Sequence, residues 1–508
     1  MNLKQVGLIL GPLLCLLACL EPSPLIASDA WKVIGLAAWI VVWWVSEALP
    51  IGITSLLPII YLPLSGVSSL AEACKPYGSP IVFLFLGGFI LAISLEKWRI
   101  HERVALKILG WTGTSANGVI FGFMSATALL SMWMSNTATT LMMLPIALSV
   151  LSLLKSAQSE NSDLNKGMKN FGIALMLAVA YGANIGGTMT IIGTPPNLVL
   201  ASFINQNAPM GEPVLSFLDW LLLGVPFGLV ALTFTYLMLV FLLYPNRLGE
   251  VAGAQAVIQE ARASLGQWTS AQKRVSIVFL LTALCWVFRS QLSTLLGVKA
   301  LSDAIVGLIG ASLLFVLPSG EVDENEAKEK SSEESESALK SEIEPKKQYS
   351  LGTSAPLLLW EDMKRLPWDI VLLFGGGLSL AQALKQVGLI HAIGDQFSNL
   401  STVTWLSLGV LTLIALMLTE VMSNVALVSV FVPVVSAVAI GLDLPPLALC
   451  APVTLAASCA FMLPMSTPPN AIVFASGYIQ ISHMVKAGIF LNLLAVLWIT
   501  TLTRWFYF

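Results

Sequence analysis

The sequence predicts an all-α polytopic membrane protein, with about 11 transmembrane helices and two re-entrant hairpins arranged as an inverted repeat. Three observations predict it. Only 11% of the 508 residues are charged, 56% are hydrophobic and mean hydropathy is +0.83; a soluble chain of this length carries about 25% charged residues. Apolar runs of about 20 residues, enough to cross a bilayer, recur from end to end. Three blocks of sequence also occur twice, in the same order.

The elements follow in chain order. Residues 1–29 read as a first transmembrane helix. Leu16-Leu17-Ala18-Cys19 is similar to a lipoprotein cleavage box, but the flank is weakly basic and many spans follow. A first repeat covers 30–246, with spans near 31–48, 51–66, 79–97 and 215–244, a hairpin block at 117–153 and a broken helix at 169–203. Residues 247–274 form a cytoplasmic connector. A second repeat covers 275–508, with spans near 275–290, 299–317, 368–388 and 484–503, a hairpin block at 403–437 and a broken helix at 445–478. Each hairpin block is two full spans or one re-entrant loop, and either returns the chain to its starting side. The segment 319–348 is an acidic insert. Its ten acids and few apolar residues predict disorder, with a solvated spacer favoured over a regulatory element.

Charge orients the chain. With the N-terminus cytoplasmic, 20 Lys and Arg fall inside and 6 outside, which obeys the positive-inside rule. A net charge of −3 leaves no basic surface for nucleic acid. The cysteines (Cys15, Cys19, Cys74, Cys285, Cys450, Cys459) form no CxxC pair, so each reads as a buried apolar side chain.

The repeated blocks carry the chemistry. "IVFLFLGGFILAISLEK" (81–97) matches "IVLLFGGGLSLAQALKQ" (370–386) at nine of 17 positions. "SMWMSNTATTLMMLP" (131–145) matches "TEVMSNVALVSVFVP" (419–433), and "GTPPNLVL" (193–200) matches "STPPNAIV" (466–473). The two Gly-rich spans lie five crossings apart, hence in opposite directions. That is the inverted repeat of secondary transporters, which bind substrate between the halves in discontinuous helices. Within those spans Gly87-Gly88 and Gly375-Gly376-Gly377 suit close helix packing.

Proline has no N–H. Pro195 and Pro196 therefore leave the carbonyls of Ile191 and Ile192 without helical donors, and Pro468 and Pro469 do the same to Pro464 and Met465. Unpaired backbone at membrane depth is tolerated where it lines a cavity. A sodium ion, a hard cation, suits freed carbonyls, while the N-terminus of the following half-helix suits an anion. Ser135 and Asn136 offer oxygens to a cation, and Asn136 and Thr137 offer donors to a carboxylate. A plain proline kink or helix–helix hydrogen bonding would account for one copy of each motif, but accounts less readily for the recurrence of both in the two halves. Glu47 and Glu420 are intramembrane carboxylates, for which structural roles are favoured over a proton relay. His101, His391 and His483 are dispersed, and no Walker A, HExxH or GxSxG motif occurs. Enzyme chemistry has no visible constellation, so transport would draw on an ion gradient.

Together the Ser-Asn blocks, the Thr/Ser-Pro-Pro-Asn turns, "SEALPIGITSLLP" (46–58) and "LLFGGG" (372–377) resemble the divalent anion:sodium symporter (DASS) family, from about residue 30 onward. The resemblance implies a homodimer in which a scaffold domain flanks an elevator-type transport domain. It implies that Ser131, Ser135, Asn136 and Gly193 surround one sodium, and that Thr419, Asn424, Ser466 and the Met422 backbone surround a second. It implies that Asn136, Thr137, Thr194, Pro195, Asn424, Val425, Thr467 and Pro468 face a small dianion such as succinate, malate, fumarate, citrate or sulfate. Sodium would be the coupling ion, with no cofactor, in a bacterial inner membrane. Val425 departs from the pattern: it replaces a Thr and loses a hydroxyl, at roughly 1.5–3 kcal/mol for a hydrogen bond to a charged group. A dicarboxylate held symmetrically would then bind less well or lie differently. Exchange, proton coupling, an arsenite carrier, a sodium/proton antiporter and a channel are the alternatives.

Overall fold

The computed structural model describes residues 3–20, 27–156, 162–207, 215–251, 253–298, 300–320, 355–389, 392 and 404–508. The acidic insert lies outside them, apart from Ser319 and Gly320. The described residues are helical, with two isolated β-bridges, Ser115 to Glu250 and Pro318 to Pro356.

The N-terminal helices are α1 (Leu3–Leu20), α2 (Ser28–Ser46), α3 (Ile51–Thr54), α4 (Leu57–Leu64) and α5 (Leu70–Cys74). They continue through α6 (Pro80–Lys97), α7 (Ile100–Trp111), α8 (Ala116–Ser131), α9 (Asn136–Ser156), α10 (Ser162–Thr188) and α11 (Pro195–Asn207). After α12 (Phe217–Leu237) come α13 (Ala254–Ser264), α14 (Ser270–Val287), α15 (Arg289–Leu296) and α16 (Asp303–Val316). The chain ends with α17 (Trp368–Gln386), α18 (Trp405–Thr419), α19 (Asn424–Gly441), α20 (Pro446–Ala457), α21 (Pro468–Ala475) and α22 (Ile481–Tyr507).

Every expected span holds helix, but by length and composition 7 uninterrupted segments among the described residues can cross a bilayer. The others are cut short by local chemistry. The 51–66 span splits into α3 and α4 where Pro50 and Pro58 start new helices. Both expected broken helices are broken. Four helices were not expected as such: the five-residue α5, and α7, α13 and α15. In the last three, charged and polar residues alternate with apolar ones, so they lack the continuous hydropathy that marks a span. Polar caps set several starts: Ser216 and Asp219 form a capping box on α12, and Thr269 and Gln272 form one on α14. Cys15, Cys450 and Cys459 are buried as expected, whereas Cys19 and Cys74 are exposed, near the C-terminal ends of α1 and α5.

The chain divides into two compact units. The smaller comprises Leu86–His101 and Leu265–Leu366. Within it Gly87 lies so close to Gly307 that a Cβ would fall 2.6 Å from its carbonyl carbon, and Lys97 pairs with Asp362 at 2.7 Å. The larger comprises Met1–Phe85, Glu102–Ser264 and Pro367–Phe508. Its centre is α10, buried at every position from 171 to 188. Apolar on all sides, such a helix belongs in a core. Gly182 and Gly186 let α8 lie directly on it; a Cβ on Gly186 would fall 2.2 Å from the Ala128 carbonyl oxygen. The repeats then interlock reciprocally. The second arm of the first hairpin, α9, packs on α21, and the second arm of the other, α19, packs on α11. Each hairpin therefore meets the half-helix of the opposite repeat.

Candidate functional site

Both hairpins turn in the same four residues. Helix α8 ends at Ser131, residues 132–135 turn, and α9 starts at Asn136; α18 ends at Thr419, 420–423 turn, and α19 starts at Asn424. A hydroxyl thus closes one arm and an amide opens the next. Ser131 Oγ donates to Asn136 Oδ1 at 2.5 Å. Thr419 Oγ1 lies 2.7 Å from Asn424 Oδ1 and 2.5 Å from the Ala457 carbonyl oxygen, so one proton serves two acceptors.

The breaks fall where the sequence places them, and the structure fixes the position of the prolines. The prolines do not interrupt a helix; Pro195 and Pro468 are the first residues of α11 and α21. Proline's fixed φ and missing N–H suit that position. The unwound residues, 189–194 and 458–467, come before them. Carbonyls within them and in the last turn of the preceding helix are held by the asparagine of each Pro-Pro-Asn. Asn197 Nδ2 lies within donating distance of the carbonyls of Gly187 (3.2 Å), Thr188 (3.3 Å) and Thr190 (2.8 Å). Asn470 Nδ2 likewise reaches the carbonyls of Ala460 (3.0 Å) and Leu463 (3.1 Å), at the same offsets of ten and seven residues, and Ser466 Oγ. Both asparagines are fully buried. Sequence reasoning treated them as flanking polar residues; the signal was their identical place in both copies.

Tip and break are tied at equivalent positions by unlike chemistry. In the first half the Thr190 hydroxyl donates to the Met132 carbonyl. In the second, the place of Met132 is taken by Glu420. Its buried carboxylate accepts from the backbone N–H of Phe461 (2.9 Å), Met462 (3.0 Å) and Leu463 (3.3 Å), and from Asn492 Nδ2 (2.8 Å). Four donors from protein groups stabilise the charge that burial would otherwise penalise. Glu47 is placed quite differently. It ends α2 in the left-handed region at φ 47°, 73% exposed, beside Lys4 at 3.5 Å.

The remaining expected site residues fall into two groups. Gly193 backs onto the first tip: a Cβ on it would lie 2.5 Å from the Gly187 oxygen, and a Cβ on Gly187 would lie 2.4 Å from Asn136 Oδ1. Ser131, Asn136, Gly187 and Gly193 thus form one cluster, to which sequence reasoning had not assigned Gly187. Thr194 is buried, and Pro195 is half-buried beside it. Thr467 Oγ1 accepts from Asn184 Nδ2 of α10 at 3.1 Å and caps α21. Ser466 Oγ donates to the Leu463 carbonyl at 2.6 Å. Ser135 and Pro468 are exposed and Thr137 half-buried. Met422 and Val425 stand apart. Both side chains pack against an apolar cluster that includes Leu36 and Trp44 of α2, Leu373 of α17 and Ala426.

The first tip presents a hydroxyl oxygen, an amide oxygen and adjacent carbonyls, a donor set for a hard cation. The N-termini of α11 and α21 present N–H groups suited to an anion.

Residues 4–508 match the family described as the sodium:sulfate symporter transmembrane region. The sodium-dependent dicarboxylate transporter SdcS of Staphylococcus saprophyticus is 37% identical over 499 residues, 97% of this chain and 89% of its own. SdcS of Staphylococcus aureus is 36% identical over the same shares. Among solved structures, the YdaH transporter of Alcanivorax borkumensis aligns with a TM-score of 0.54 at 14% identity, over 99% of this chain and 98% of its own. MtrF of Neisseria gonorrhoeae, reported with a class of antimetabolite efflux pumps, aligns at 0.53 and 13%, over 100% and 95%. At those identities the two structures speak to the fold alone.

Proposed function

The chain belongs to the sodium:sulfate symporter family, as an integral multi-pass membrane transporter and not an enzyme, and from that premise we propose that it carries small dianions, foremost C4-dicarboxylates, together with sodium. One observation carries the reading: both repeats fold a hydroxyl–asparagine tip beside an unwound segment clamped by a Pro-Pro-Asn asparagine. The dicarboxylate and sodium dependence named for SdcS supports the same substrate class and coupling ion.

In this reading one sodium lies among Ser131, Ser135, Asn136 and Gly193, and a second among Thr419, Asn424, Ser466 and the Met422 backbone. The substrate carboxylates face Asn136, Thr137, Thr194 and Pro195 from one half and Asn424, Val425, Thr467 and Pro468 from the other. Sodium neutralises the oxygen-rich tips, so an anion beside them binds more tightly when the cations are present; that is coupling by linked binding. The helices α8, α9, α18 and α19 are re-entrant arms, the protein is a homodimer with elevator-type movement, and the N-terminus faces the cytoplasm of a bacterial inner membrane. The test is uptake of labelled succinate into proteoliposomes, with malate, fumarate, citrate and sulfate as competitors. Uptake should rise steeply with an inward sodium gradient. Uptake indifferent to that gradient overturns the coupling and favours exchange or proton coupling.

A further inference from the structure

The carbonyls of the second break fix the direction of the hydrogen bonds next to them. A carbonyl only accepts. The Asn470 group that reaches the carbonyls of Ala460 (3.0 Å) and Leu463 (3.1 Å) is therefore its NH₂. The Asn470 oxygen faces the other way and lies 3.2 Å from Asn184 of α10. An oxygen there needs a donor, so Asn184 turns its own NH₂ toward it. The same Asn184 nitrogen lies 3.1 Å from Thr467 Oγ1. Asn470, Asn184 and Thr467 are all buried.

Thr467 is thereby an acceptor twice. Its oxygen takes one bond from Asn184 Nδ2 and one from the backbone N–H of Asn470, 3.4 Å away. A hydroxyl has two lone pairs and one proton. Both lone pairs are engaged, and among the described residues the proton meets no acceptor. A buried donor is costly unless something accepts from it. This one stands at the N-cap of α21, where the helix dipole favours an anion. The first half lacks the arrangement, although α11 packs on α20 as α21 packs on α10. The register of the repeat pairs Asn184 with Ala457, which has no amide. Asn197 Oδ1, the counterpart of the oxygen that Asn184 bonds, is buried without a partner.

We propose that Asn184 is a positioning residue for the anion: by holding Thr467 Oγ1 as an acceptor, it leaves the hydroxyl proton for a substrate carboxylate. This role rests on the dianion reading, in which Thr467 faces the substrate, and it assigns the group that sets the direction of that hydroxyl. A carboxylate suits the donor because it accepts and does not donate. Without Asn184 the hydroxyl spreads over about three staggered orientations, which by itself weakens binding about 3-fold. Removing the hydroxyl altogether forfeits a bond to a charged group, worth about 10–150-fold in affinity.

The test is a double-mutant cycle in anion affinity, measured by isothermal titration of the full-length protein in lipid nanodiscs at saturating sodium. The parent is titrated with succinate, malate, fumarate, citrate and sulfate, and the anion bound most tightly is carried through the cycle. Thr467→Val should weaken binding about 10–150-fold, and Asn184→Ala about 3-fold or more. Thr467→Ser keeps the hydroxyl and should retain most of the affinity. In the Thr467→Val background Asn184→Ala should cost nothing further, because its effect passes through the hydroxyl. A merely structural role would lower affinity equally in both backgrounds, and that result overturns the proposal, as does parental affinity in Asn184→Ala. Asn184→Ser, one bond too short to reach Thr467, replaces Asn184→Ala if the latter does not fold; failure of both to fold also overturns it. A parent that binds a dianion beside an unaffected Asn184→Ala sinks the positioning role alone. A parent that binds none of the five anions sinks the dianion reading and this role with it.

Discussion

Gly187→Ala is the substitution that most directly probes the first tip. Gly187 lies in the last turn of α10, where alanine is otherwise preferred over glycine by roughly 0.5–1 kcal/mol. The added methyl would sit 2.4 Å from Asn136 Oδ1 and 2.9 Å from Nδ2. To reach an ordinary contact of about 3.5 Å the amide must retreat by about 1 Å. That movement breaks the 2.5 Å bond from Ser131 and takes one oxygen out of the proposed cation cluster. Displacing the support of a metal ligand typically costs about 10–100-fold in affinity, which is about 1.4–2.8 kcal/mol. The assay is succinate uptake into proteoliposomes as a function of external sodium, alongside thermal stability in detergent. The half-saturating sodium concentration should rise by that factor while the protein stays folded. A sodium dependence equal to that of the parent protein, in a variant that folds, would refute the placement of Asn136 at a cation site. The neighbouring Gly186→Ala is the contrast: its methyl meets the backbone of Ala128 at 2.2–2.7 Å, so it should destabilise the fold itself.

Three further outcomes are expected. Asn136→Ala and Asn424→Ala should each abolish uptake in protein that elutes and melts normally, and normal uptake in either removes that residue from the site. Glu420→Gln replaces one accepting oxygen with an NH₂ group, losing charge-assisted bonds worth about 1.5–3 kcal/mol each. It should lower the melting temperature in detergent well below that of Glu47→Gln, whose exposed pair with Lys4 is worth about 0–1 kcal/mol; equal melting temperatures would show that Glu420 is no anchor. Val425→Thr restores a hydroxyl on α19 and should shift preference toward dicarboxylates over sulfate in competition uptake. Unchanged preference would leave position 425 as packing against the α2 and α17 cluster.

The candidate site was legible where it is written in local chemistry. Ser131, Asn136, Thr419 and Asn424 stand at hairpin turns that a repeated Met-Ser-Asn marks in the sequence, and the prolines mark the breaks. The prolines begin the half-helices, and the residues whose carbonyls they free, Ile191, Ile192, Pro464 and Met465, lie in the unwound turns before them, where the sequence reading puts them. Gly187 was missed because a glycine in an apolar helix looks the same whether it seats a backbone, as Gly186 does, or a site side chain.

By itself the sequence determined the membrane class, the places where helix exists and the duplication of three blocks. Each of these depends on composition or on neighbours in the chain: charge scarcity, apolar run length, a proline's missing N–H. What only the tertiary structure decided is which groups meet. Asn184 reaches Thr467 across 283 residues, and Asn492 reaches Glu420 across 72. Asn197 and Asn470 clamp carbonyls seven and ten residues back, farther than a helical hydrogen bond reaches. The same holds for the fates of Gly375, Gly376 and Gly377, identical in type and adjacent in sequence. Helix rotation turns each toward a different neighbour, so two are tightly packed and the third meets only the Ser429 hydroxyl, at ordinary contact distance. Such contacts depend on how the reciprocal packing of the two repeats closes, and no local pattern encodes that.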